Sequence, residues 1–289
     1  MTPTSAHTAP PPADATAPVG IIGGSGLYRL LTAGSTTRQP VATPYGSPSA
    51  EITLGRLGGK PVAFLPRHCA GHTVAPHRIN YRANIWALAS LGVRAIVSTA
   101  AVGGLSPQFP PGLIVLPDQL LDRTTVLADT FYDEDVQHLP AADPFDPELR
   151  AVAQAALTAS GEEFAGSGTA VILQGPRFAT RAESLWHRSA GAQLANMTLL
   201  PEVTLAEELN MGTVTLAFIT DTDAGTAAGE GEPVTAELVF ARLAAAQPRL
   251  LAAIEAIVRD IPESFVPRQL VPAAAVRRIL DAPTRGTGE

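Results

Sequence analysis

Six short apolar runs, separated by helix-like segments, constrain this chain more than any other feature of its sequence. Several runs place apolar residues side by side without polar alternation, as expected for strands that are covered on both faces of a sheet. Alternation of such strands with helices favours one α/β domain, with a central mixed or mostly parallel sheet flanked by helices. The predicted strands are Val19–Ile22, Pro61–Leu65, Ala95–Thr99, Leu113–Pro117, Ala170–Leu173 and Val214–Thr220.

The segments between the predicted strands carry helix signals of different kinds. Asp146 can cap the exposed amides of a helix that begins with Pro147. Pro201 is expected at the first position of another helix, and Pro248 should kink or break the last long one. The predicted helices are Arg78–Leu91, Pro147–Ser160, Pro201–Leu209 and about Thr235–Ile261, with one more turn near Arg277–Leu280.

Length and composition limit the number of domains. With 289 residues, 46% of them hydrophobic, the chain can bury the core of one domain, which is expected over residues 19–266. Residues 1–18 are rich in Thr, Ala and Pro and lack the pattern of a secretory signal, so a disordered N-terminal tail is expected. Residues 267–289 are expected to form a C-terminal extension, with a short helix and then a flexible end.

Charge and cysteine content limit the partners of the chain. A net charge of −7 argues against a nucleic-acid-binding surface, which normally carries basic clusters. No apolar run reaches the roughly 18 residues of a membrane span. Cys69 is the only cysteine, so neither an intrachain disulfide nor a cysteine-based zinc motif can form. These properties predict a cytoplasmic protein without nucleic-acid or membrane partners, and an acidic chain that binds an anion must build a local positive site.

Two segments at predicted strand ends could build such a site. The glycine-rich turn from Gly20 to Leu27 would let backbone amides and the Ser25 hydroxyl converge on an anion. It lacks the ending of a Walker loop and the spacing of a dinucleotide fingerprint, so a tight turn is an equal alternative. Arg67 offers a planar fork of donors suited to phosphate, and His68 can add another donor. A surface salt-bridge partner is the alternative for that pair.

Further segments near strand ends combine small, aromatic or acidic residues. The small side chains of residues 98–105 would let a planar ligand or a phosphate lie against the backbone. Phe178 could offer an aromatic face for a base, although a lone Phe is more often part of the core. Asp221 and Asp223 follow an apolar strand, and a buried carboxyl has a raised pKa and can donate a proton near neutral pH. The two acids could instead bind a metal or cap the next loop.

Taken together, these segments resemble the purine nucleoside phosphorylase family, in particular its trimeric branch that contains the 5′-methylthioadenosine phosphorylases. The resemblance runs from about Gly20 to about Ile261. It implies phosphate-dependent cleavage of 5′-methylthioadenosine to adenine and 5-methylthioribose 1-phosphate, with no metal and no cofactor, because phosphate is a co-substrate. The matching motifs are Ile22–Tyr28, Thr43–Ser49, Arg67-His68, Asn80–Leu88, Ala101–Leu105, Asp118–Thr124, Gly175–Phe178, Asn196–Thr198, Pro201-Glu202 and Asp221–Asp223.

The resemblance also implies a role for each site residue. Asp221 is expected to protonate N7 of the leaving base, and Asp223 to bind a 6-amino group. Because 6-oxopurine specialists of the family usually have Asn where this chain has an acid, the pair points to adenine. Phosphate is expected at Ser25, Arg67, His68, Thr99, Ala100 and Thr198. The nucleoside is expected at Ala101, Val102, Gly103, Phe178, Asn196 and Met197, with Met197 under the ribose and Phe178 and Val102 against the base.

Two positions bear on assembly and on departures from the family. His138 matches a residue that methylthio-specific members lend across a subunit interface, which implies a homotrimer whose sites need two chains; completion of a loop is the alternative. Cys69 stands where many relatives have Gly after Arg-His.

Three other activities stay open: a phosphorylase for inosine, guanosine or methylthioinosine, a hydrolytic nucleosidase, and a nucleoside-binding protein without catalysis.

Overall fold

A computed structural model describes residues 17–25, 27, 30–31, 36–69, 71–223 and 234–284. The predicted disordered tail lies outside these residues except for positions 17 and 18. Gly26 and Tyr28 of the glycine-rich segment, and the end of the chain beyond residue 284, are also outside them. Of the helices in the described ranges, none is long and apolar enough to cross a membrane.

Eleven strands of the described chain form one mixed sheet, which confirms the predicted α/β fold with a central mixed sheet. The strands are β1 (Val19–Gly23), β2 (Thr37–Gln39), β3 (Ile52–Leu57), β4 (Lys60–Pro66), β5 (Ala95–Gly104), β6 (Ile114–Val115), β7 (Gln119–Arg123), β8 (Phe164–Ala165), β9 (Thr169–Leu173), β10 (Leu194–Asn196) and β11 (Gly212–Asp221). The order is β2-β3-β4-β1-β5-β10-β9-β7, and β11 pairs with both β5 and β6. β5 is the centre, because it pairs in parallel with β1 and β11 and antiparallel with β10.

All six predicted strands are present, and their ends differ from the predicted ones by up to five residues. β5 continues five residues past its predicted end at Thr99, and β6 covers only two residues of the predicted Leu113–Pro117. The longer β5 is stabilised by β11, which pairs with it over most of its length. Five strands were not predicted, namely β2, β3, β7, β8 and β10; most of them are short or partly exposed, so they lack a continuous apolar run.

The described residues contain six α-helices, and five of them pack on the sheet in two apolar layers. The six are α1 (Tyr81–Ser90), α2 (Pro147–Ala159), α3 (Arg181–Ser189), α4 (Leu199–Glu208), α5 (Ala236–Asp260) and α6 (Ala273–Leu280). One core layer joins α2 and α5 to β1 and β11, and the other packs α1, α4 and α6 together. α6 is fixed there by a hydrogen bond of 2.9 Å from Trp86 Nε1 to the Ile279 carbonyl, so the described part of the predicted extension is packed against α1.

The helix ends confirm one sequence expectation and correct two. Asp146 caps α2 by accepting hydrogen bonds of 3.0 Å from the amides of Glu148 and Leu149. α4 begins at Leu199, so the placement of Pro201 at the first position is wrong; amides of a first turn have no intrahelical acceptor, and a proline is therefore tolerated there. Of the kink or break expected at Pro248, the break is wrong, because α5 continues through Pro248 with a buried face on either side. A kink at this position stays a prediction.

The sheet topology brings four strand ends to one edge. β1, β4, β5 and β11 run parallel to one another, since β1 pairs in parallel with β4 and β5, and β5 with β11. Their carboxyl ends therefore face the same side of the sheet, which is where open α/β sheets bind ligands. The segments that follow these strands contain most of the predicted site residues.

Candidate active site

A cavity of about 400 Å³ lies at this edge of the sheet. It collects residues from seven separate parts of the chain. Thr99 and Ala100 lie just behind it and line a small adjoining cavity that shares Ser25 and Ala101 with the first. His138 is exposed and does not line the cavity of its own chain. The predicted residues that line the main cavity are Ser25, Arg67, His68, Ala101, Val102, Gly103, Phe178, Asn196, Met197, Thr198, Asp221 and Asp223.

Arg67 is the buried positive charge of the cavity. It follows the end of β4 and is 1% exposed. Its Nε and Nη2 donate to the two carboxylate oxygens of Glu202, and its Nη1 donates to the Thr99 carbonyl at 2.9 Å. Burial opposes the charge, but Glu202 outweighs this effect and raises the pKa of Arg67. A guanidinium carries five N–H hydrogens, so two remain for a ligand after these three bonds within the described chain.

Glu202 is the partner of Arg67 and not a part of the cavity wall. Both of its carboxylate oxygens accept hydrogen bonds from Arg67. Glu202 is only 3% exposed and does not line the cavity. Its function in the fold is therefore to orient the guanidinium and to balance its charge.

The turn after β1 approaches Arg67 closely. The Gly24 amide donates to Thr99 Oγ1 at 2.9 Å. A Cβ at Gly24 would lie 2.5 Å from the Thr99 carbonyl oxygen and 2.9 Å from Arg67 Nη1. Only glycine fits at this position, and it allows the next residue, Ser25, to reach the cavity beside the guanidinium.

His68 is neutral in this environment and acts as an acceptor. Burial and the adjacent charge of Arg67 lower the pKa of His68 to about 3. Its Nδ1 lies 2.9 Å from the Val74 carbonyl, which can only accept a hydrogen bond, so Nδ1 carries the hydrogen. Nε2 is then left without one. The sequence predicted that His68 would be a second donor beside Arg67, and in the structure it is an acceptor.

Asp221 and Asp223 line the cavity at the end of β11, and β1 and β5 lie between this strand and β4, which precedes Arg67. The oxygens of Asp221 accept from Thr220 Oγ1 at 2.7 Å and from the Asp223 amide at 2.8 Å. Burial nevertheless raises the pKa of Asp221. Asp223 has a φ of +52°, and its Oδ2 accepts from the Ser184 hydroxyl of α3. Gly103 makes room for the pair, because a Cβ there would lie 3.0 Å from Asp221 Oδ1 and 3.0 Å from Asp223 Cβ.

Asn196, the last residue of β10, holds the segment from Met197 to the start of α4 in place. Its Nδ2 donates to the Ala101 carbonyl at 3.0 Å. Its Oδ1 accepts from the amides of Thr198 and Leu199 at 2.8 and 2.9 Å, which satisfies the start of α4. Asn196 lines the cavity as predicted, but most of its hydrogen-bonding capacity is used within the protein.

The remaining wall is apolar and was largely missed from the sequence. Phe240 and Val239 of α5, together with His72, line the cavity beside Phe178. The His72 ring lies 4.1 Å from His68 and 5.1 Å from Phe240, measured between centroids, and its Nδ1 is 3.4 Å from Ser25 Oγ. No local pattern marks these residues, because α5 reaches the site only through the fold. Ser184 was also missed, because it meets Asp223 only in the folded chain. The capping box of Thr180 and Glu183 is a local signal that indicates the start of α3.

No cluster of three or more His, Cys, Asp or Glu side chains in the described ranges is arranged to hold a metal ion. The expectation that the chain uses no metal and no cofactor stays a prediction.

Comparisons with known proteins agree with this geometry. A sequence profile of the phosphorylase superfamily matches residues 18–259. The chain is 51% identical over 224 residues to S-methyl-5′-thioadenosine phosphorylase of Mycobacterium tuberculosis, covering 77% of this chain and 81% of the relative. It is 45% identical over 257 residues to purine nucleoside phosphorylase of Streptomyces coelicolor, covering 86% and 90%.

The fold is likewise similar to solved structures of such enzymes. Methylthioadenosine phosphorylase from Schistosoma mansoni, in complex with adenine, superposes with a TM-score of 0.79 and 33% identity, covering 83% of this chain and 90% of that one. With a buried guanidinium and a carboxylate pair lining one cavity, and with matches over most of its length, the chain belongs to the phosphorylase superfamily.

Proposed function

We propose that this chain catalyses the phosphate-dependent cleavage of 5′-methylthioadenosine to adenine and 5-methylthioribose 1-phosphate. The observation that carries the proposal is the cavity in which a buried guanidinium faces two buried carboxyls across a space of about 400 Å³. A nucleoside between these groups would have its sugar towards Arg67 and its base towards Asp221 and Asp223. The similarity to enzymes named for methylthioadenosine supports this substrate.

The phosphate end of the cavity suits hydrogen phosphate. The two unused N–H hydrogens of Arg67 and the hydroxyls of Ser25 and Thr198 can bind its anionic oxygens. Nε2 of neutral His68 can accept the hydrogen of its P–OH group. Thr99 and Ala100 form the floor behind it. This set can bind a dianion without a lysine, because two N–H groups of the guanidinium and two hydroxyls donate hydrogen bonds to the anionic oxygens.

The course of bond cleavage follows from the phosphate site at one end of the cavity and the carboxylate pair at the other. As the C–N bond stretches, positive charge develops on the ribose and negative charge on the purine. An oxygen of phosphate attacks the anomeric carbon from the face opposite the base, and a new C–O bond replaces the C–N bond with inversion. Asp221, whose pKa is raised by burial, donates its proton to N7 of the leaving base. Asp223 accepts a hydrogen bond from the 6-amino group.

The other lining residues complete the nucleoside site. Phe178 and Val102 provide apolar surfaces for the base, and Met197 lies under the ribose. Ala101 and Gly103 are small enough to let the ligand approach β5. No metal or organic cofactor takes part in this scheme, because phosphate is the second substrate.

A homotrimer would complete the 5′ end of the site. His138 is exposed on its own chain, and it would reach the cavity of a neighbouring subunit. Large apolar side chains are exposed as well: Phe178, which lines the cavity, is 41% accessible, and Leu185 and Trp186 of α3 are 46% and 51% accessible. Such surfaces are typical of subunit interfaces. In this proposal the protein is a cytoplasmic enzyme whose partners are a nucleoside, phosphate and two further copies of the chain.

A 6-oxopurine nucleoside phosphorylase is the second candidate, and the similarity to a purine nucleoside phosphorylase favours it. Asp223 speaks against it, because a carboxylate accepts from a 6-amino group and finds no donor on a 6-oxo group. A hydrolytic nucleosidase would have no use for Arg67 and its buried partner. A nucleoside-binding protein without catalysis would need no acid such as Asp221.

The test is base release from methylthioadenosine, adenosine, inosine and methylthioinosine, each with and without phosphate. We expect adenine release that requires phosphate and is fastest with methylthioadenosine. Arg67→Met should abolish the phosphate-dependent release of adenine. Arg249→Met is its control, since Arg249 pairs with Glu162 outside the cavity. Preference for inosine would favour the second candidate, release without phosphate a hydrolase, and binding without release the non-catalytic protein.

A further inference from the structure

Ser184 is a buried hydroxyl on a helix that is otherwise largely exposed. Only Ser184 and His187 of α3 are buried, whereas Leu185 and Trp186 are about half exposed. The start of the helix is fixed by the capping box of Thr180 and Glu183. α3 therefore presents Ser184 at a defined position towards the end of β11, although Ser184 itself does not line the cavity.

The hydroxyl of Ser184 has one hydrogen and two neighbouring acceptors. Its Oγ lies 3.1 Å from the Thr180 carbonyl and in hydrogen-bond contact with Asp223 Oδ2. The Thr180 carbonyl already accepts from the Ser184 amide at 3.0 Å. A hydrogen bond to a carboxylate is stronger than one to a carbonyl. The hydrogen therefore goes to Asp223.

This donation defines what Asp223 offers to a ligand. Oδ2 is occupied by Ser184, and Oδ1 has no hydrogen-bond partner in the described part of the chain. The Asp223 backbone is fixed as well, because its φ is +52° and its amide donates to Asp221 at 2.8 Å. A hydroxyl that donates to one oxygen stabilises the carboxylate, and the other oxygen then accepts a hydrogen bond from the ligand.

We propose that Ser184 is a specificity-determining positioning residue: by donating to Asp223 Oδ2 it holds this carboxylate as the acceptor that selects a 6-amino purine over a 6-oxo purine. This inference rests on the proposed function. Ser184 touches neither substrate nor phosphate, and it acts through Asp223 alone. Its removal should change the choice of base and leave the phosphate end, on the other side of the cavity, unaffected.

The test compares kcat/KM for methylthioadenosine and methylthioinosine at saturating phosphate in the wild type and in Ser184→Ala. The ratio of the two values should fall about tenfold or more in the variant, as expected for loss of a hydrogen bond to a charged group. The KM for phosphate should stay within about twofold. Ser184→Thr keeps the hydroxyl and should retain most of the wild-type ratio. Ser189→Ala, a serine change at the exposed end of the same helix, is the matched control.

The outcomes separate this inference from the proposed function. Wild-type protein that releases no base in phosphate would refute the proposed function and the inference with it. Active wild type with an unchanged ratio in Ser184→Ala would refute the inference alone, as would a ratio in Ser184→Thr that falls as far as in Ser184→Ala. Should Ser184→Ala not fold, Ser184→Cys replaces it: its thiol is a weaker donor of similar size, and an unchanged ratio there also overturns the inference.

Discussion

Replacing Glu202 with Leu should destabilise the protein strongly, because the change leaves the buried Arg67 guanidinium without its counter-charge. Arg67 is 1% exposed and Glu202 is 3% exposed. Two charge-assisted hydrogen bonds, from Nε and Nη2, are lost together with the charge balance. Water cannot replace the carboxylate at this depth without opening the core around β4 and α4.

The size of the effect follows from the burial of the pair. Removal of one partner from a buried ion pair costs about 3–5 kcal/mol. At roughly 2–4 °C per kcal/mol for a domain of this size, the midpoint of thermal unfolding should fall by about 6–20 °C. Asp133→Leu is the control, because it breaks an exposed pair with Arg82, and such pairs contribute little.

A double variant separates the structural from the functional role of the pair. Arg67→Met combined with Glu202→Leu replaces both charges with apolar groups, and such replacements are often neutral or stabilising. The double variant should regain most of the lost thermal stability and remain inactive in the phosphate-dependent assay. A midpoint for Glu202→Leu within 2 °C of the wild type, or a double variant as unstable as the single one, would show that Glu202 does not balance a buried charge on Arg67.

Three further changes test the carboxylate pair and the phosphate end. Asp221→Asn should lower kcat by roughly 10²–10⁴-fold at a phosphate KM within about twofold in steady-state kinetics, and near-normal kcat would contradict proton donation by this residue. Gly103→Ala should lower kcat/KM for the nucleoside about tenfold or more, because its Cβ would crowd Asp221 and Asp223 at 3.0 Å; an equal loss in Gly166→Ala, where only the end of Gln154 is near, would point to a general effect. The free energy of unfolding should fall as the pH drops from about 6.5 towards 3, because the unfolded chain then binds a proton that His68, with its pKa of about 3, does not bind when folded. His68→Gln should flatten this slope in denaturant titrations, and an unchanged slope would count against a neutral, buried His68.

Much of the fold could be predicted from local patterns. The apolar runs predicted β1, β4, β9 and β11, since a strand covered on both faces needs adjacent apolar residues. Short or half-exposed strands such as β2 and β10 carry no such run. Pro248 misled the prediction because helix propensity is local, whereas the buried face of α5 is held by contacts with the sheet.

The candidate site, too, could be predicted from the sequence only in part. By itself, the sequence determined the chemistry available at each strand end: glycines and Ser25 after β1, Arg67 after β4, and the carboxyls after β11. Only the tertiary structure decided that these ends share one cavity, because strand order places β5 between β1 and β11.

The partners of the functional groups were decided by the tertiary structure alone. Arg67 pairs with Glu202, 135 positions away, and Asp223 receives its hydrogen bond from Ser184, 39 positions away. Periodicity and capping signals reach over a few residues, so they cannot indicate contacts between helices and strands that are distant in the chain. The protonation of His68 and Asp221 follows from burial, which exists only once the sheet and its helices have packed.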